Sequence, residues 1–490
     1  MSTLPTAAIR DRIRGCLFGN AIGDAYGLAT EFMTTRVAKE LYGNGPIAFG
    51  TDPGYPVWED HHRPITDRND FTDDTDQMLV MLQSLQQTRD GILHPVNFAQ
   101  RLTEWEHHGI VEIGADPGRG LGFTVGTVLS HKDFSNNPHR AAFEVWDAAG
   151  RDLAPNGAVM RTAVAGVERF WDEQRVVENA MAAAKITHAD PRSVVSALIS
   201  SVLISRFLRG GGVNVAEDQG RVWNPRLTQV EYRQELLSYL ERGTNLQRDS
   251  TLNPPYSETP ESAFEPKDYD RIEHQRLQRE SAAGGTYRDQ FKDHQWSDWN
   301  KDRPEVTLRS DIGWVGIDNL GEDDAAGSLA RSVVDDYKFL LQQTQVAPHP
   351  SEHGHRVQDQ WTAEMESMCF PQSMGQLRLG ASESIGYTFK CIGISYYGVT
   401  RRLDPVPTAP EYGGCDGLFR GLMEQVTIEG GDADTNCAVM GSLLGARFGL
   451  QHGIPENWWR NLQHLDWLSE TIDAYANRVL ADYEAHIQSQ

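Results

Sequence analysis

Acidic residues clustered at the start of a predicted helix are the first candidates for chemistry in this sequence. Residues 71–76 read FTDDTD and precede an apolar run with helical periodicity that extends to Gln87. Thr72 is a favoured helix N-cap and acids are common in a first helical turn, so for any single aspartate a structural role is the simpler interpretation. Together, Thr72, Asp73 and Asp74 place several hard oxygen ligands at one helix start, which suits Mg²⁺, Mn²⁺ or Ca²⁺.

A second acidic turn lies near the other end of the chain. Residues 430–436 read GGDADTN and again precede an apolar helical pattern. The spacing resembles the start of an EF-hand loop, but the sixth position is Cys437 instead of glycine and the twelfth is Leu443 instead of glutamate. We therefore interpret the segment as a Gly-Gly turn that delivers two carboxylates and a hydroxyl, those of Asp432, Asp434 and Thr435.

The two acidic segments together are a stronger signal than either alone. Facing each other, they would supply four carboxylates, which repel one another in a confined space and shift their pKa values. Two divalent cations about 3.5–4 Å apart would remove that conflict. The pattern therefore predicts a binuclear metal site shared by two helix starts.

Glu31 is a separate candidate. It lies in the segment 23–32, GDAYGLATEF, near the end of a glycine-rich helical pattern. An acid at that end of a helix opposes the helix dipole, and a residue placed against its electrostatic preference is a candidate for function. A surface glutamate at a helix end explains the same pattern equally well.

Three weaker segments could contact a ligand. Residues 118–122 read GRGLG, which neither fits G-x-G-x-x-G nor follows a predicted strand, although such a loop can offer backbone N–H groups to phosphate. Asn156 and Gly157 form a turn before a predicted helix. His188 lies in a link between two predicted helices, where a lone histidine is usually structural.

The elements that position these residues are predicted to be helices. Within 73–87, apolar residues recur at the spacing of one helical face, at Met78, Leu79, Leu82 and Leu85. Similar patterns occur near 10–30, 96–108, 156–170, 173–186, 191–209, 376–398, 433–448 and 456–485. Strand-like alternation is nearly absent, so the prediction is an all-α fold.

Glycine spacing indicates which two helices touch. Glycines repeat every four residues in two ridges, Gly15, Gly19, Gly23 and Gly27 near one end and Gly441, Gly445 and Gly449 near the other. Each glycine in a helix interior costs roughly 1 kcal/mol relative to alanine, so such a ridge favours close approach of helices. We expect the two helices to pack tightly and bring the chain ends together, unless the glycines lie incidentally in loops.

The section 210–372 breaks from the helical pattern. It is rich in Pro, Asp, Glu, Arg and Gln, with helices plausible only near 229–246 and 325–343. Its tryptophans suggest that it docks on another part of the protein; they are Trp296, Trp299 and Trp314. We expect a peripheral insertion at about 210–372 that interrupts a single domain spanning 1–490.

Composition limits the partners and the compartment. The chain has 490 residues, with 69 acidic and 45 basic ones for a formal net charge of −24, which argues against nucleic acid or an anionic membrane as partner. Its five cysteines contain no C-x-x-C pair, and its start lacks a basic-then-apolar signal pattern. We expect a monomeric cytoplasmic protein, with the nucleus left open, and neither nucleic acid nor membrane as partner.

In order and spacing, these segments resemble the ADP-ribosylglycohydrolase family, which includes dinitrogenase-reductase-activating glycohydrolase and the crystallin J1-like proteins. The most specific matches are residues 23–32, 72–75 and 431–435, and the weaker ones are 118–122, 156–161 and 187–191. The resemblance covers the chain outside 210–372. It implies a single large orthogonal bundle of helices with two Mg²⁺ or Mn²⁺ ions in a central cleft.

The resemblance also implies roles for individual residues. The implied metal ligands are Thr72, Asp73, Asp74, Asp432, Asp434 and Thr435. Glu31 matches the flap or catalytic glutamate of the family and is counted as catalytic together with Asp74. The segments that would wrap the diphosphate and the distal ribose contribute Gly118, Gly120, Gly122, Asn156 and Gly157. His188 matches a position near the adenosine half.

The implied activity is hydrolysis of the glycosidic bond between ADP-ribose and a protein side chain or small-molecule acceptor, with a lean to ADP-ribosyl-arginine. Such cleavage passes through an oxocarbenium-like state that nearby carboxylates stabilise. Two alternatives are a non-catalytic ADP-ribose-binding or crystallin-like structural member and an all-α, Mg²⁺-dependent prenyl or terpene synthase. Loss of metal ligands would mark the first, and the D-D-x-x-D pattern of the second ends here in Gln77.

Overall fold

The computed structural model of the chain describes residues 4–58, 63, 69–88, 90–241, 320–346, 360–403 and 415–490. Its first helices are α1 (Thr6–Gly27), α2 (Thr35–Tyr42), α3 (Asp73–Gln86), α4 (Pro95–His108), α5 (Phe123–Leu129), α6 (Pro138–Ala148), α7 (Ala163–Val167), α8 (Glu173–Lys185), α9 (Pro191–Leu208), α10 (Val215–Gln219) and α11 (Val230–Glu241). The later helices are α12 (Asp324–Tyr337), α13 (Phe339–Gln343), α14 (Trp361–Cys369), α15 (Thr388–Val399), α16 (Cys415–Glu429), α17 (Ala433–Phe448), α18 (Leu450–Gly453), α19 (Glu456–Trp459) and α20 (Leu465–Ser489).

Extended structure is slight within these residues. Strand β1 (Leu320–Glu322) pairs antiparallel with β2 (Arg401–Leu403), with Leu320 opposite Leu403. The prediction of an all-α fold is confirmed, and the helices enclose one main hydrophobic core to which nearly all of them contribute.

The centre of the fold is an antiparallel contact between α1 and α17 in which glycine backbones touch. A Cβ atom added at Gly19 would lie 2.2 Å from the carbonyl oxygen of Gly441, and one added at Gly23 would lie 2.1 Å from that of Cys437. Both distances are far below van der Waals contact, so only a residue without a side chain permits this approach. The predicted packing of the two glycine ridges is confirmed.

The register of this contact brings the ends of the chain together. A Cβ atom added at Gly27, the last residue of α1, would lie 2.3 Å from the carbonyl oxygen of Ala433, the first residue of α17. Glu31 follows α1 after one 3₁₀ turn, Leu28–Thr30, while Asp432 immediately precedes α17. The two segments that carry candidate residues are therefore neighbours because the helices cross in this register.

Helix α9 forms the interior of the bundle. All of its residues are buried, and Asp190 caps it by accepting a hydrogen bond from the backbone N–H of Arg192 (2.9 Å), with Pro191 as the first helical residue. By length and composition α9 could cross a membrane, but it lies entirely inside the protein. The core accounts for its apolar composition.

Helices in the described parts of the section 210–372 pack against this interior. The buried side chains of α12 belong to the main core, and they are Ala326, Leu329, Ala330, Val333, Val334 and Tyr337. Arg206 of α9 ties the helix down by donating to Ser332 Oγ (2.9 Å) and pairing with Asp336 (2.5 Å). In α11 and α12 the section is thus more integrated than a peripheral insertion would be.

The rest of that section lies outside the described residues. Residues 242–319 and 347–359 are not described, and they include Trp296, Trp299 and Trp314. The division of the chain at about 210 and 372 therefore stays a prediction.

Gly19→Ala should destabilise the protein although alanine is the better helix former. The added methyl group would overlap the carbonyl of Gly441, and overpacking of this kind costs about 1–3 kcal/mol or more, against a propensity gain of about 1 kcal/mol. Because the overlap is with rigid backbone, the cost should lie in the upper part of this range, and we expect the free energy of unfolding, measured by urea denaturation, to fall by about 1–2 kcal/mol.

Gly375→Ala is the matched control, because a Cβ atom there meets no described atom within 4 Å. We expect a change of at most about 0.5 kcal/mol. Equal effects of the two substitutions would contradict the glycine contact as a stability determinant.

Candidate metal centre

Asp24 of α1 holds the start of α3 in place. Its side chain is fully buried and accepts hydrogen bonds from the backbone N–H and hydroxyl of Thr72 (2.9 and 2.8 Å) and of Thr75 (3.0 and 2.6 Å). Thr72 occupies the N-cap position of α3 but makes no capping bond with its own side chain. Asp24 thus satisfies N-terminal N–H groups of α3 from another helix, and the position of the acids on α3 depends on α1.

The acids of α3 and α17 meet in the interior. Asp74 Oδ1 accepts a hydrogen bond from Thr435 Oγ1 (3.1 Å), across a separation of 361 residues. Asp74 Oδ2 is buried and has no hydrogen-bond partner among the described residues. Beside them, Asp432 Oδ2 accepts from Asn156 Nδ2 (3.0 Å), and Asp434 Oδ1 accepts from the backbone N–H of Thr435 (2.8 Å). The structure therefore brings the two predicted acidic segments together.

Backbone contacts place Glu31 beside the same acids. Phe32 donates its N–H to the carbonyl of Gly431 (2.6 Å), and Gly431 donates to the carbonyl of Met33 (2.7 Å). Arg63 donates from Nη2 to the carbonyl of Glu31 (2.5 Å) and from Nε to two carbonyls of the preceding 3₁₀ turn. Glu31 is buried, with 7% of its surface exposed. It is thus held between the end of α1 and the start of α17 and is not a surface glutamate.

Two groups of three carboxylates are close enough to share cations. Oxygen atoms of Asp24, Asp74 and Asp434 lie within 4.8 Å of one another, and so do those of Glu31, Asp432 and Asp434. Asp434 belongs to both groups, so its carboxylate would be available to an ion held by either group. Carboxylate oxygens are hard ligands, and the unpartnered Oδ2 of Asp74 is an exception among buried polar atoms that a cation would explain. The donor set therefore fits two divalent ions.

The remaining predicted ligands border these two groups. The acids that meet here are called the acidic cluster, and they are Asp24, Glu31, Asp73, Asp74, Asp432 and Asp434. The hydroxyls of Thr72 and Thr435 donate hydrogen bonds to two of its aspartates, Asp24 and Asp74. Asp73 Oδ2 accepts from Gln77 Nε2 (2.9 Å), and Asp73 stands outside both groups, whereas Asp24, to which the sequence assigned no role, belongs to one.

Burial and mutual repulsion raise the pKa values of the cluster. Burial raises the pKa of Asp73 and Asp74 well above the ordinary value, and the charge of Asp24 adds to it. Burial and then Glu31 do the same for the pKa of Asp434. Burial also raises the pKa of Asp24 from 3.8 to about 6, although its four hydrogen bonds lower it. Without cations, the cluster therefore retains protons that a free carboxylic acid loses.

The third aspartate at the start of α3 is withdrawn from the cluster. Arg119 donates to both oxygens of Asp76 (3.0 and 3.1 Å) and to Asp70 (2.6 Å), and Trp105 Nε1 also donates to Asp76 (3.0 Å). Because Arg119 belongs to the glycine loop 118–122, these bonds position the loop beside the acids of α3. A Cβ atom added at Gly120 would lie 2.6 Å from an oxygen of Asp73.

At the other two glycines of the predicted loop, Gly118 and Gly122, the closest neighbours of an added Cβ atom within 4 Å include no aspartate of α3. Gly118 is adjacent to Glu106, and a Cβ atom at Gly122 would meet no described atom within 4 Å. Of the three, only Gly120 contacts the acidic cluster through the space a side chain would occupy.

The remaining candidate residues lie on the other side of the cluster. Asn156, bonded to Asp432, also donates its backbone N–H to the carbonyl of Gly386 (2.9 Å). A Cβ atom at Gly157 would lie 3.1 Å from the ring of His188, which is buried. The structure therefore links Asn156, Gly157 and His188 into one wall that begins at Asp432.

Three residues of the site escaped the sequence-based prediction. Asp24 is an acid within an apolar, glycine-rich helix. A charged residue in such a helix is rarely buried without a partner, so this pattern could have marked Asp24 as a candidate. Arg63 and Gly386 carry no local pattern, because their contacts to Glu31 and Asn156 arise only from tertiary packing.

Comparison with known proteins finds a family model that matches most of the chain and curated relatives that match about two fifths of it. A sequence model of the ADP-ribosylglycohydrolase family matches residues 5–286 and 319–487. The protein named ADP-ribosylhydrolase ARH3 of Homo sapiens is 30% identical over 206 residues, which are 41% of this chain and 50% of that protein. The protein named ADP-ribosylarginine hydrolase Tri1 of Serratia proteamaculans is 24% identical over 209 residues, 42% of this chain and 50% of that protein.

Two further comparisons differ in coverage. The ADP-ribosyl-[dinitrogen reductase] glycohydrolase of Rhodospirillum rubrum is 23% identical over 219 residues, 43% of this chain and 63% of that protein. The chain thus spans between half and two thirds of the length of these curated relatives. A solved structure described as an ADP-ribosylglycohydrolase-related protein complex aligns with 96% of this chain and 99% of its own at 19% identity and a TM-score of 0.44.

The metal-free protein should lose stability as the pH rises. The pKa of Asp24 is raised from 3.8 to about 6, so between these values the folded chain binds more protons than the unfolded chain and stability falls with increasing pH. The raised pKa values of Asp74 and Asp434 extend this loss upward. In EDTA, the melting temperature should therefore decrease from about pH 4 to about pH 6 and continue to decrease above that pH. Added Mg²⁺ or Mn²⁺ should restore it most at the higher pH, because cations bind deprotonated ligands.

The doubly substituted Asp74→Asn/Asp434→Asn protein is the control for this profile. Because it lacks two of the buried acids, its melting temperature should depend less on pH and respond less to added cations. A profile as steep as that of the unsubstituted protein would assign the pH dependence to other groups.

Proposed function

This chain belongs to the ADP-ribosylglycohydrolase family, and we propose that it hydrolyses the glycosidic bond that joins ADP-ribose to a protein side chain or a small-molecule acceptor. The observation that carries the proposal is the pair of carboxylate groups that share Asp434 and include Glu31. Membership of this family leaves the prenyl or terpene synthase alternative without support. The proposed partner is therefore an ADP-ribose conjugate.

Two Mg²⁺ or Mn²⁺ ions are the proposed cofactors. Their proposed ligands are Thr72, Asp73, Asp74, Asp432, Asp434 and Thr435. Asp24 is better suited to positioning, because its two oxygens already accept four hydrogen bonds from the start of α3. When bound, the ions supply charge that polarises sugar oxygens and water in the cleft.

Glu31 and Asp74 are the proposed catalytic residues. Glu31 would orient the leaving group or transfer a proton to it, since it is the carboxylate held by backbone contacts at the edge of the cluster. Asp74 has one buried oxygen without a hydrogen-bond partner among the described residues, and a carboxylate oxygen of Asp74 lies within 4.8 Å of oxygens of Asp24 and Asp434. The remaining carboxylates would stabilise the positive charge that develops at the anomeric carbon.

Residues around the cluster are proposed to hold ADP-ribose. They are Gly118, Gly120, Gly122, Asn156 and Gly157 for the diphosphate and distal ribose, and His188 for the adenosine half. In support, Gly120 contacts Asp73 and Asn156 is bonded to Asp432, so these segments border the acids on two sides. A ligand that spans both would place its ribose against the carboxylates.

The proposed acceptor is arginine. Support comes from the segment 23–32 and from the relative named ADP-ribosylarginine hydrolase. A panel of conjugates with ADP-ribose on arginine, on serine and on a small-molecule acceptor would identify the acceptor from the one that releases ADP-ribose fastest.

We also propose that the protein acts as a monomer in the cytoplasm or nucleus, without nucleic acid or membrane as partner. Support comes from its formal net charge of −24 and from its cysteines, all of which are free.

Asp74→Asn and Asp434→Asn should each lower turnover by at least about 100-fold and reduce bound metal, because both side chains belong to one cluster. Excess EDTA should also abolish turnover, and Mg²⁺ or Mn²⁺ should restore it. Asp466→Asn, an exposed acid in the first turn of α20, is the matched control and should change nothing. Full activity of either cluster variant, or turnover with no metal bound, would refute the binuclear site.

Glu31→Gln should separate binding from catalysis. We expect retained metal and ADP-ribose binding in titration calorimetry, while kcat falls by about 100-fold or more, because a neutral amide cannot transfer a proton. The closeness of Glu31 to Asp432 and Asp434 allows a competing role as ligand. Loss of metal binding in parallel with the rate would establish that second role and exclude the first.

A further inference from the structure

A buried chain of hydrogen bonds leads from the acidic cluster to His188. Gln77 donates from Nε2 to Asp73 Oδ2 (2.9 Å), and its Oε1 accepts from Arg161 Nη1 (2.8 Å). Arg161 Nη2 donates to Thr187 Oγ1, and this hydroxyl oxygen lies 2.8 Å from His188 Nδ1. All five side chains are buried, so water does not compete for these bonds.

The charge of Arg161 determines the direction of each bond. A guanidinium only donates, so the oxygens of Gln77 and Thr187 must accept from it. The cation repels the hydroxyl hydrogen of Thr187, which therefore points to His188 Nδ1, the remaining bonding partner of this hydroxyl among the described residues. Nδ1 then accepts, and a neutral imidazole whose Nδ1 accepts carries its hydrogen on Nε2.

The imidazole is neutral in this environment. Burial, and after it the charge of Arg161, hold the pKa of His188 well below its ordinary value. The hydrogen on Nε2 is therefore the single N–H of the ring.

Nε2 of His188 makes no hydrogen bond within the described part of the chain. It is buried, whereas buried donors are normally satisfied. It faces Gly157, where an added Cβ atom would lie 3.3 Å from it. The absence of a side chain at this position keeps the N–H directed at the Asn156-Gly157 turn.

We propose that Arg161 and Thr187 are positioning residues that lock His188 in the tautomer with hydrogen on Nε2, so that His188 donates a hydrogen bond to an acceptor oxygen of the substrate. This inference rests on the proposed function, because ADP-ribose would supply that oxygen. The lock makes recognition directional: a group that itself donates at this point would face a second donor and be rejected. The same arginine orients Gln77 against Asp73, so one buried cation arranges both the acidic cluster and the histidine.

The tautomer can be measured on the whole protein without substrate. In ¹⁵N NMR of histidine-labelled protein, the His188 signals are identified by their loss in His188→Gln. We expect a protonated Nε2 and an unprotonated Nδ1, both in the natural chain and in Thr187→Ser, which keeps the hydroxyl. Thr187→Val keeps the shape but removes the hydroxyl, and it should move the hydrogen partly or wholly to Nδ1. A protonated Nδ1 in the natural chain, or an unchanged tautomer in Thr187→Val, would overturn the proposal.

Calorimetric titration with ADP-ribose tests the consequence for binding. His188→Gln can present an amide N–H near the position of Nε2, whereas the shorter His188→Asn cannot. We expect roughly tenfold weaker binding for Thr187→Val and His188→Asn, and at most about threefold weaker binding for Thr187→Ser and His188→Gln. If Thr187→Val and Thr187→Ser lost the same affinity, and His188→Asn and His188→Gln did as well, the donor role of His188 would be overturned. A hydrogen on Nε2 in a protein that binds no ADP-ribose would instead overturn the proposed function, so the two failures are distinguishable.

Discussion

Backbone contact between α1 and α17 is the constraint on which the rest of the structure depends. Because glycines remove side chains from this interface, the carbonyl oxygens of one helix touch the backbone of the other, which is closer than packing through side chains allows. The contact is antiparallel, so Glu31, just beyond α1, comes to lie at the first turn of α17. Asp24, one helical turn before the end of α1, reaches the start of α3. Residues that take no part in the proposed chemistry therefore set its geometry.

Opposing electrostatic effects act on the ionised carboxylates of the acidic cluster. The N-termini of α3 and α17 meet there, and their N–H groups and dipoles favour negative charge. Burial and mutual repulsion oppose it, as the raised pKa values of Asp74 and Asp434 show. Arg119 pairs with Asp76 and neutralises its charge. Of the three aspartates at the start of α3, only Asp73 and Asp74 therefore add negative charge to the acidic cluster. Two divalent cations would complete the balance.

Patterns local to the chain were sufficient to predict most of the framework. Helical periodicity, the glycine ridges and the two acidic turns are each contained in a short window, and the structure confirms the ridges, the acidic turns and most of the predicted helices. The stretches near 156–170 and 376–398 are helical only in part, as α7 and α15, because turns interrupt them. Residues whose roles come from distant partners escaped, among them Asp24, Arg63 and Gly386. The composition of the section 210–372 suggested a peripheral position, yet the helix predicted near 325–343 packs its apolar face in the core as α12, because the average composition of a section does not show where one amphipathic helix docks.

The sequence by itself determined which residues were available for chemistry and that two glycine-bearing helices would pack together. Residue identity and periodicity are local properties that can be read from a short stretch of sequence. Only the tertiary structure decided the register that aligns Gly27 with Ala433, the sharing of Asp434 between two carboxylate groups and the exclusion of Asp76 from both. The same holds for the bonds that set the proton on His188. The physical reason is that distances of a few ångströms between groups hundreds of residues apart depend on how backbones pack, and no local pattern encodes those distances.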